Sequence, residues 1–254
     1  MKYFTKEWYE LCQKTSFYLN LEEEKQAETF SEEYFQQLYN NELNSWLELQ
    51  EEISSILESN DDDQNEYEPF NKNLAIKQFH DGFIYNKHRL KNELPETILN
   101  QIADIRVFAL YKATRTVISA VTKFSEENER SVTATSAEYR KYFKEASSSF
   151  EKDIVENFGF HDCTIIKSVQ HDRSLTLHLD NTGGFTDIEE VTFENYQIIK
   201  QDGLLEDSWW LYNEVYKVND NYEFHVLLQK SEMGLMDFII CADQVSFKSN
   251  KNHE

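Results

Sequence analysis

Glycine and proline are scarce in this chain, with six and two among 254 residues. That excludes collagen-like and Pro/Gly-rich low-complexity classes. Their placement also divides the sequence. Only Gly82, Pro69 and Pro95 precede Asn157, whereas Gly159, Gly183, Gly184, Gly203 and Gly234 follow it. Helices tolerate few glycines and β-hairpins need them at turns, so the boundary is expected at 155–160. Cysteine is equally sparse. Cys12, Cys163 and Cys241 are too few and too scattered for a disulfide framework or a paired metal knuckle, and an odd number suits a reducing compartment. No run of about 18 apolar residues occurs, which excludes a membrane-spanning helix. The opening Met1-Lys2-Tyr3-Phe4-Thr5-Lys6-Glu7-Trp8 lacks the apolar stretch of a signal peptide. A cytoplasmic location is expected. Basic charge is short as well: 25 Lys and Arg face 47 Asp and Glu, a formal net charge of -22. Such a surface repels nucleic-acid phosphates and anionic lipids and favours a basic protein as partner.

What is present suffices for a real core. Hydrophobic residues make up 40% and aromatics 14%, which argues against global disorder. A short helix is expected from Phe4 to about Lys14, with Thr5 as its cap. From Leu21 to Leu57, apolar residues recur at helical spacing (Phe30, Tyr34, Leu38, Leu43, Trp46, Ile53), predicting an amphipathic helix or a pair broken near Asn40-Asn41. Asp61 to Pro69 reads as a solvated loop. Leu74 to Asn92 reads as helical with an interruption at His80-Asp81-Gly82. Pro95 is placed to begin a helix, and Ile98, Ile102, Ile105, Ala109, Ala113, Val117 and Val121 follow at i+3 or i+4, predicting one helix. Ser125 with Asn128 resembles a cap for a further helix through Tyr139, Tyr142, Ala146, Phe150 and Ile154.

After Phe158 the period becomes two. Leu175, Leu177 and Leu179 alternate with Thr176, His178 and Asp180, a half-buried strand. Further strands are expected at 191–199, 209–218, 222–228 and 238–247, with Asn219-Asp220-Asn221 as a hairpin turn. Strands without intervening helices make an antiparallel sheet or barrel. The expected fold class is therefore α+β: a helical domain over 1–157, an antiparallel β domain over 158–248, and a flexible tail over 249–254, polar from Lys248.

Charge divides the chain differently. Residues 1–70 hold four basic against 18 acidic side chains, 71–157 hold 14 against 12, and 158–254 hold seven against 17. Docking of the acidic first helices onto Lys87, Arg89, Arg106, Lys112 and Arg115 would explain this internally. Binding of a partner by those acidic helices is the alternative.

One fragment occurs twice: Phe79-His80-Asp81-Gly82-Phe83-Ile84 and Phe160-His161-Asp162-Cys163-Thr164-Ile165, with a third His-Asp pair at His171-Asp172. Adjacent imidazole and carboxylate can bind metal, as in His-Asp phosphohydrolases, but no histidine precedes His80 to complete that pattern. A base-and-orienter role requires contact through space. In the structural reading, Asp turns the chain and His packs beside its Phe. Gly183-Gly184 lacks the Lys-Ser/Thr of a phosphate loop. Cys163 beside His161 suggests a thiol nucleophile, or a buried cysteine. Trp209-Trp210 with Tyr212 and Tyr216 puts aromatics on both faces of a strand, one face for the core and one for binding.

The opening Met1 to Tyr9 resembles the start of an uncharacterised bacterial family of this length, known only as a domain of unknown function. Phe160 to Ile165, followed by the strand at Ser174–Asp180, resembles the beginning of small β-rich domains of bacterial toxin-immunity proteins. That second resemblance implies an acidic protein bound to a basic target, commonly a nuclease. The leading expectation is a non-enzymatic interaction protein with an acidic binding surface. The alternatives are a metal-dependent hydrolase using His80-Asp81 and His161-Asp162, and a structural or regulatory domain without a site. Candidate binding residues are His80, Asp81, His161, Asp162, Trp209, Trp210 and Tyr212; no cofactor is expected.

Overall fold

A computed structural model describes residues 1–59, 69–230 and 234–249. Its helices are α1 (Lys6–Cys12), α2 (Glu32–Ser59), α3 (Lys72–Glu93), α4 (Glu96–Leu99), α5 (Ile105–Ala109), α6 (Arg115–Ala146) and α7 (Lys152–Asn157). Its strands are β1 (Glu22–Glu23), β2 (Lys112–Ala113), β3 (Thr164–His171), β4 (Ser174–Asp180), β5 (Ile188–Glu194), β6 (Gln197–Gln201), β7 (Ser208–Val218), β8 (Asn221–Lys230), β9 (Leu235–Ala242) and β10 (Gln244–Ser249). Helices precede an eight-stranded antiparallel sheet, the α+β class read from the sequence. The chain divides into two compact units, Met1–Gln13 with Asn128–Glu254, and Lys14–Glu127. We call them the β unit and the helical unit. Secondary structure changes near residue 158, but the division by packing falls inside α6, and the first 13 residues belong with the sheet.

In the helical unit, Asn71 caps α3 by accepting from the Leu74 amide. The helix then runs unbroken through His80-Asp81-Gly82, so the expected interruption is absent: one glycine without positive φ does not stop a helix that buries Ala75, Phe83 and Leu90. Likewise α2 passes Asn40-Asn41 as one helix, and it begins at Glu32 rather than Leu21. The long helix expected from Pro95 to Val121 is instead α4, α5, β2 and the start of α6. Buried Asp104 accepts from the Arg106 amide at 2.9 Å and starts a new helix, and Tyr111, with φ 64°, turns the chain into β2, which pairs in parallel with β1. Short helices joined by tight turns keep one side inward, so Ile98, Ala109, Ala113, Val117 and Val121 are all still buried. Ser125 caps nothing and lies inside α6. No glycine or proline interrupts the sequence there. The loop expected from Asp61 lies outside the described residues up to 68.

The sheet order is β10-β5-β4-β3-β7-β8-β9-β6. β9 and β10, at its seventh and first positions, are joined by Asp243 alone, and β5 and β6, second and eighth, by Asn195-Tyr196. Strands sit about 4.8 Å apart, so a flat sheet would ask one residue to span nearly 30 Å. The sheet must therefore coil until its ends meet. The runs expected as single strands at 191–199 and 238–247 each bend into two, with Asn195 at φ 46° forming one corner. Only two residue pairs join β3 to β7, which is where the halves part. Between them lies a core of Leu175, Leu177, Phe193, Trp210, Phe224 and Phe238, all fully buried. Lys248, and Ser249 from the expected tail, belong to β10 and pair with Glu190 and Ile188 of β5. Residues 250–254 lie outside the described ones.

Candidate functional site

The two copies of the repeated fragment adopt different structures. In α3, Phe79 and Phe83 turn inward while His80 and Asp81 are exposed. His80 Nδ1 lies 3.1 Å from the Tyr39 hydroxyl. The second copy is a turn before β3, in the other unit. Asp162, at φ 66°, donates its amide to Trp210 O at 2.9 Å. Phe160 and Cys163 are buried, and the exposed His161 ring packs on Tyr212 at 5.0 Å with its Nδ1 on Leu211 O. His161 Nε2 lies 3.7 Å from Asp162 Oδ2. A Cβ at Gly184 would sit 2.5 Å from Cys163 Sγ, so glycine there closes the loop against the thiol. Burial pushes that thiol up to about 11, which keeps it protonated and unsuited to nucleophilic attack at neutral pH. His171-Asp172 sits at the β3–β4 hairpin turn. Among the described residues, no three His, Cys, Asp or Glu side chains are grouped to hold a metal.

On β7 a bulge between Trp210 and Tyr212 sets the faces. Alternation alone would put Trp210 and Tyr212 on one side, but the extra residue, Leu211, reverses the parity. Trp210 therefore fills the core, its Nε1 donating to Asn213 Oδ1, whereas Trp209 is 55% exposed. Tyr212, Glu214 and Tyr216 join Trp209 on the outer side. Tyr212 packs against Phe4 and Trp8, so it forms part of a covered aromatic cluster.

Glu214 is the residue that sequence reasoning missed. It is fully buried, and its carboxylate accepts the amides of Lys2, Tyr3 and Phe4 at 2.8, 2.7 and 2.6 Å and the Tyr216 hydroxyl at 2.5 Å. Backbone amides converging on a carboxylate satisfy a buried charge without a cation. Burial pushes the Tyr216 phenol well above its ordinary value, and the bond to Glu214 adds to the rise; burial does the same at Tyr139. The group anchors the first residues to the sheet. Beside it, His225 Nε2 is 2.5 Å from Glu223 Oε1, but its Nδ1 is buried without a partner, so the pair offers no nitrogen to a solvent-borne substrate.

The helical unit carries a different kind of surface. Its acidic segments do dock internally: Arg106 pairs with Glu32 at 2.7 Å, Lys112 with Glu22 at 2.5 Å and Glu42 at 3.6 Å, and Arg115 with Glu23 at 2.9 Å. Hydrogen bonds from Gln36 and Arg106 hold the Glu32 carboxyl below its usual range. Lys87 and Arg89 take other roles, over the rings of Phe83 and Phe17. Beyond Glu42 this pairing stops. Glu48, Glu51 and Glu52 are exposed, and no cation lies against them among the described residues. Burial fades with them. Trp46 still donates Nε1 to Ala75 O at 3.2 Å, but Leu49 and Ile53 are 49% and 41% exposed. Ile53 and Leu57 form one wall of an open cleft whose other wall is Phe70 and Leu74 of the α3 end. Leu49, Ile53 and Leu57 follow at i+4, which makes one stripe of a helix.

The comparisons with known proteins come down to one family. Its model, described as a protein of unknown function (DUF4085), matches residues 29–242, beginning after the opening segment that first suggested such a family. No curated protein and no solved structure matches. The chain, matched over most of its length and across both units, belongs to the DUF4085 family.

Proposed function

We propose that this is a non-enzymatic interaction protein of the bacterial cytoplasm whose acidic surface engages a basic protein partner. The observation that carries the reading is the second half of α2, an exposed apolar stripe of Leu49, Ile53 and Leu57 beside Glu48, Glu51 and Glu52. Exposed apolar side chains rimmed by charge of one sign are the anatomy of a docking surface. Glu22, Glu23, Glu32 and Glu42, which precede them, are spent on internal cations, whereas Glu48, Glu51 and Glu52 remain for a partner. Another copy of this chain would bring the same carboxylates and be repelled. A basic amphipathic helix would bury its apolar face on the stripe and set its cations against the rim. The likeness of Phe160 to Ile165 to toxin-immunity domains supports the same partner class, a basic target such as a nuclease.

The test is fluorescence anisotropy with a labelled amphipathic peptide of Leu and Lys at helical spacing. Binding is expected at low salt and should weaken about tenfold or more between roughly 20 and 200 mM salt, as the screening length shortens. Gln at 48, 51 and 52 should lower affinity and flatten the salt dependence, and Leu49→Ser with Ile53→Ser should lower affinity alone. Binding that ignores both sets of changes, or no binding at low salt, would sink the proposal.

A further inference from the structure

Glycine inside a helix is unfavourable relative to alanine, because it gives up more backbone freedom on folding and packs nothing. It persists where a positive φ or a close approach demands it. Neither applies to Gly82. Its φ is not positive, and a Cβ placed there meets no atom within 4 Å. What Gly82 does face is a cavity of about 270 Å³, walled by Phe79, Phe83 and Asn86 of α3, Trp46 of α2, and Leu110 and Tyr111 after α5. The repeated fragment thus gives Phe79, Gly82 and Phe83 to this cavity while His80 and Asp81 turn away.

The walls select a chemistry. No charged side chain lines the cavity. Asn86 spends its amide on Ala109 O at 2.9 Å and accepts from Arg89 Nη2 at 3.3 Å, and Trp46 Nε1 is held by Ala75 O. The remaining polar groups of the lining, the Gln78 amide and the Tyr111 hydroxyl, are neutral, so a charged guest would give up hydration without gaining a countercharge. The volume falls just under the roughly 300–1,000 Å³ of sites for drug-sized ligands, which suits one ring or a fused pair. Aromatic walls favour a planar guest that can stack or meet them edge-on.

We propose that this cavity binds a small, neutral, planar aromatic compound, and that Gly82 leaves the room for it. The cavity adjoins the cleft beside the acidic stripe, with Gln78 lining both, but the proposal does not depend on protein docking.

The experiment is calorimetric titration of the whole protein with indole, and with benzoate as the charged counterpart. Saturable one-to-one binding of indole is expected, with benzoate at least about tenfold weaker. Gly82→Leu should fill the space and abolish indole binding while leaving the circular dichroism spectrum unchanged. Should that variant not fold, Gly82→Ala decides: it should fold and weaken indole binding several-fold. Absence of saturable indole binding to the native chain overturns the proposal. So does equal affinity for indole in the folded variant, or equal affinity of the native chain for the two probes.

Discussion

Replacing Glu214 by Gln should free the first residues of the chain while leaving the sheet folded. The side chain keeps its size, so no cavity is made. What changes is the electrostatics of four hydrogen bonds. Three backbone amides and the Tyr216 hydroxyl converge on the carboxylate within 2.5–2.8 Å. A hydrogen bond to a charged group contributes about 1.5–3 kcal/mol, against about 1 kcal/mol for a neutral pair. Gln removes the charge from all four and turns one acceptor into a donor facing other donors. The Tyr216 hydroxyl can rotate to accept, which recovers one bond. A net loss of about 2–4 kcal/mol follows. Amide hydrogen exchange reads this locally. In the native protein, the amides of Tyr3 and Phe4 should be strongly protected despite lying so near the chain start. In Glu214→Gln their protection should fall by about 30-fold or more, since about 1.4 kcal/mol is a factor of ten, while amides in β8 keep theirs. Unprotected Tyr3 and Phe4 amides in the native chain, or unchanged protection in the variant, would refute the reasoning.

Three further outcomes are expected. Gly184→Ala should destabilise the β unit by about 1–3 kcal/mol, because its Cβ would press on Cys163 Sγ at 2.5 Å and His161 O at 3.2 Å; Cys163→Ala should relieve part of that cost, as chemical denaturation of the single and double variants would reveal. Trp210→Ala should cost about 3–5 kcal/mol by opening a core cavity, whereas Trp209→Ala, on the exposed side of the same strand, should cost under about 1 kcal/mol; similar midpoints for the two would contradict the bulge assignment. Tyr139 and Tyr216 have folded-state pKa values raised above the ordinary phenol value of about 10. Their contribution is then fully present below about pH 10 and is lost as pH rises toward the folded values. Thermal unfolding should show a fall in midpoint above about pH 10 that Tyr216→Phe reduces, and a flat profile there would count against it.

Much of the fold was legible in single residues. Thr5 caps α1 by accepting from the Trp8 amide, as its position before a periodic stretch suggested. The alternation of Leu175, Leu177 and Leu179 is the buried side of β4, and Asn219, at φ 59°, makes the expected hairpin turn. The charge blocks suggested internal docking of the acidic segments, which Arg106, Lys112 and Arg115 provide and Lys87 and Arg89 do not, and they left partner binding open as the alternative. The repeated His-Asp fragment was readable as a pattern but not as a conformation. Two neighbours cannot tell a helix from a turn when both keep Phe inward. Glu214 could not be found from the sequence, because its three amide partners lie more than 200 residues away and the signal is a lone carboxylate among strand tyrosines.

Local propensity and periodicity therefore determined the class of elements, their approximate order and, where the alternation is unbroken as in β4, which side faces inward. These depend on neighbours within a turn or a strand. The tertiary structure alone decided where the runs break. Asp104 and Tyr111 divide a stretch with unbroken helical spacing, because packing rewards an inward side chain whether a helix or a turn supplies it. Asn195 and Asp243 bend two strands around corners because the sheet must coil to bury both halves of its core. The bulge at Leu211 chose which tryptophan is buried. It also brought Glu214 to the side where the first amides of the chain could reach it.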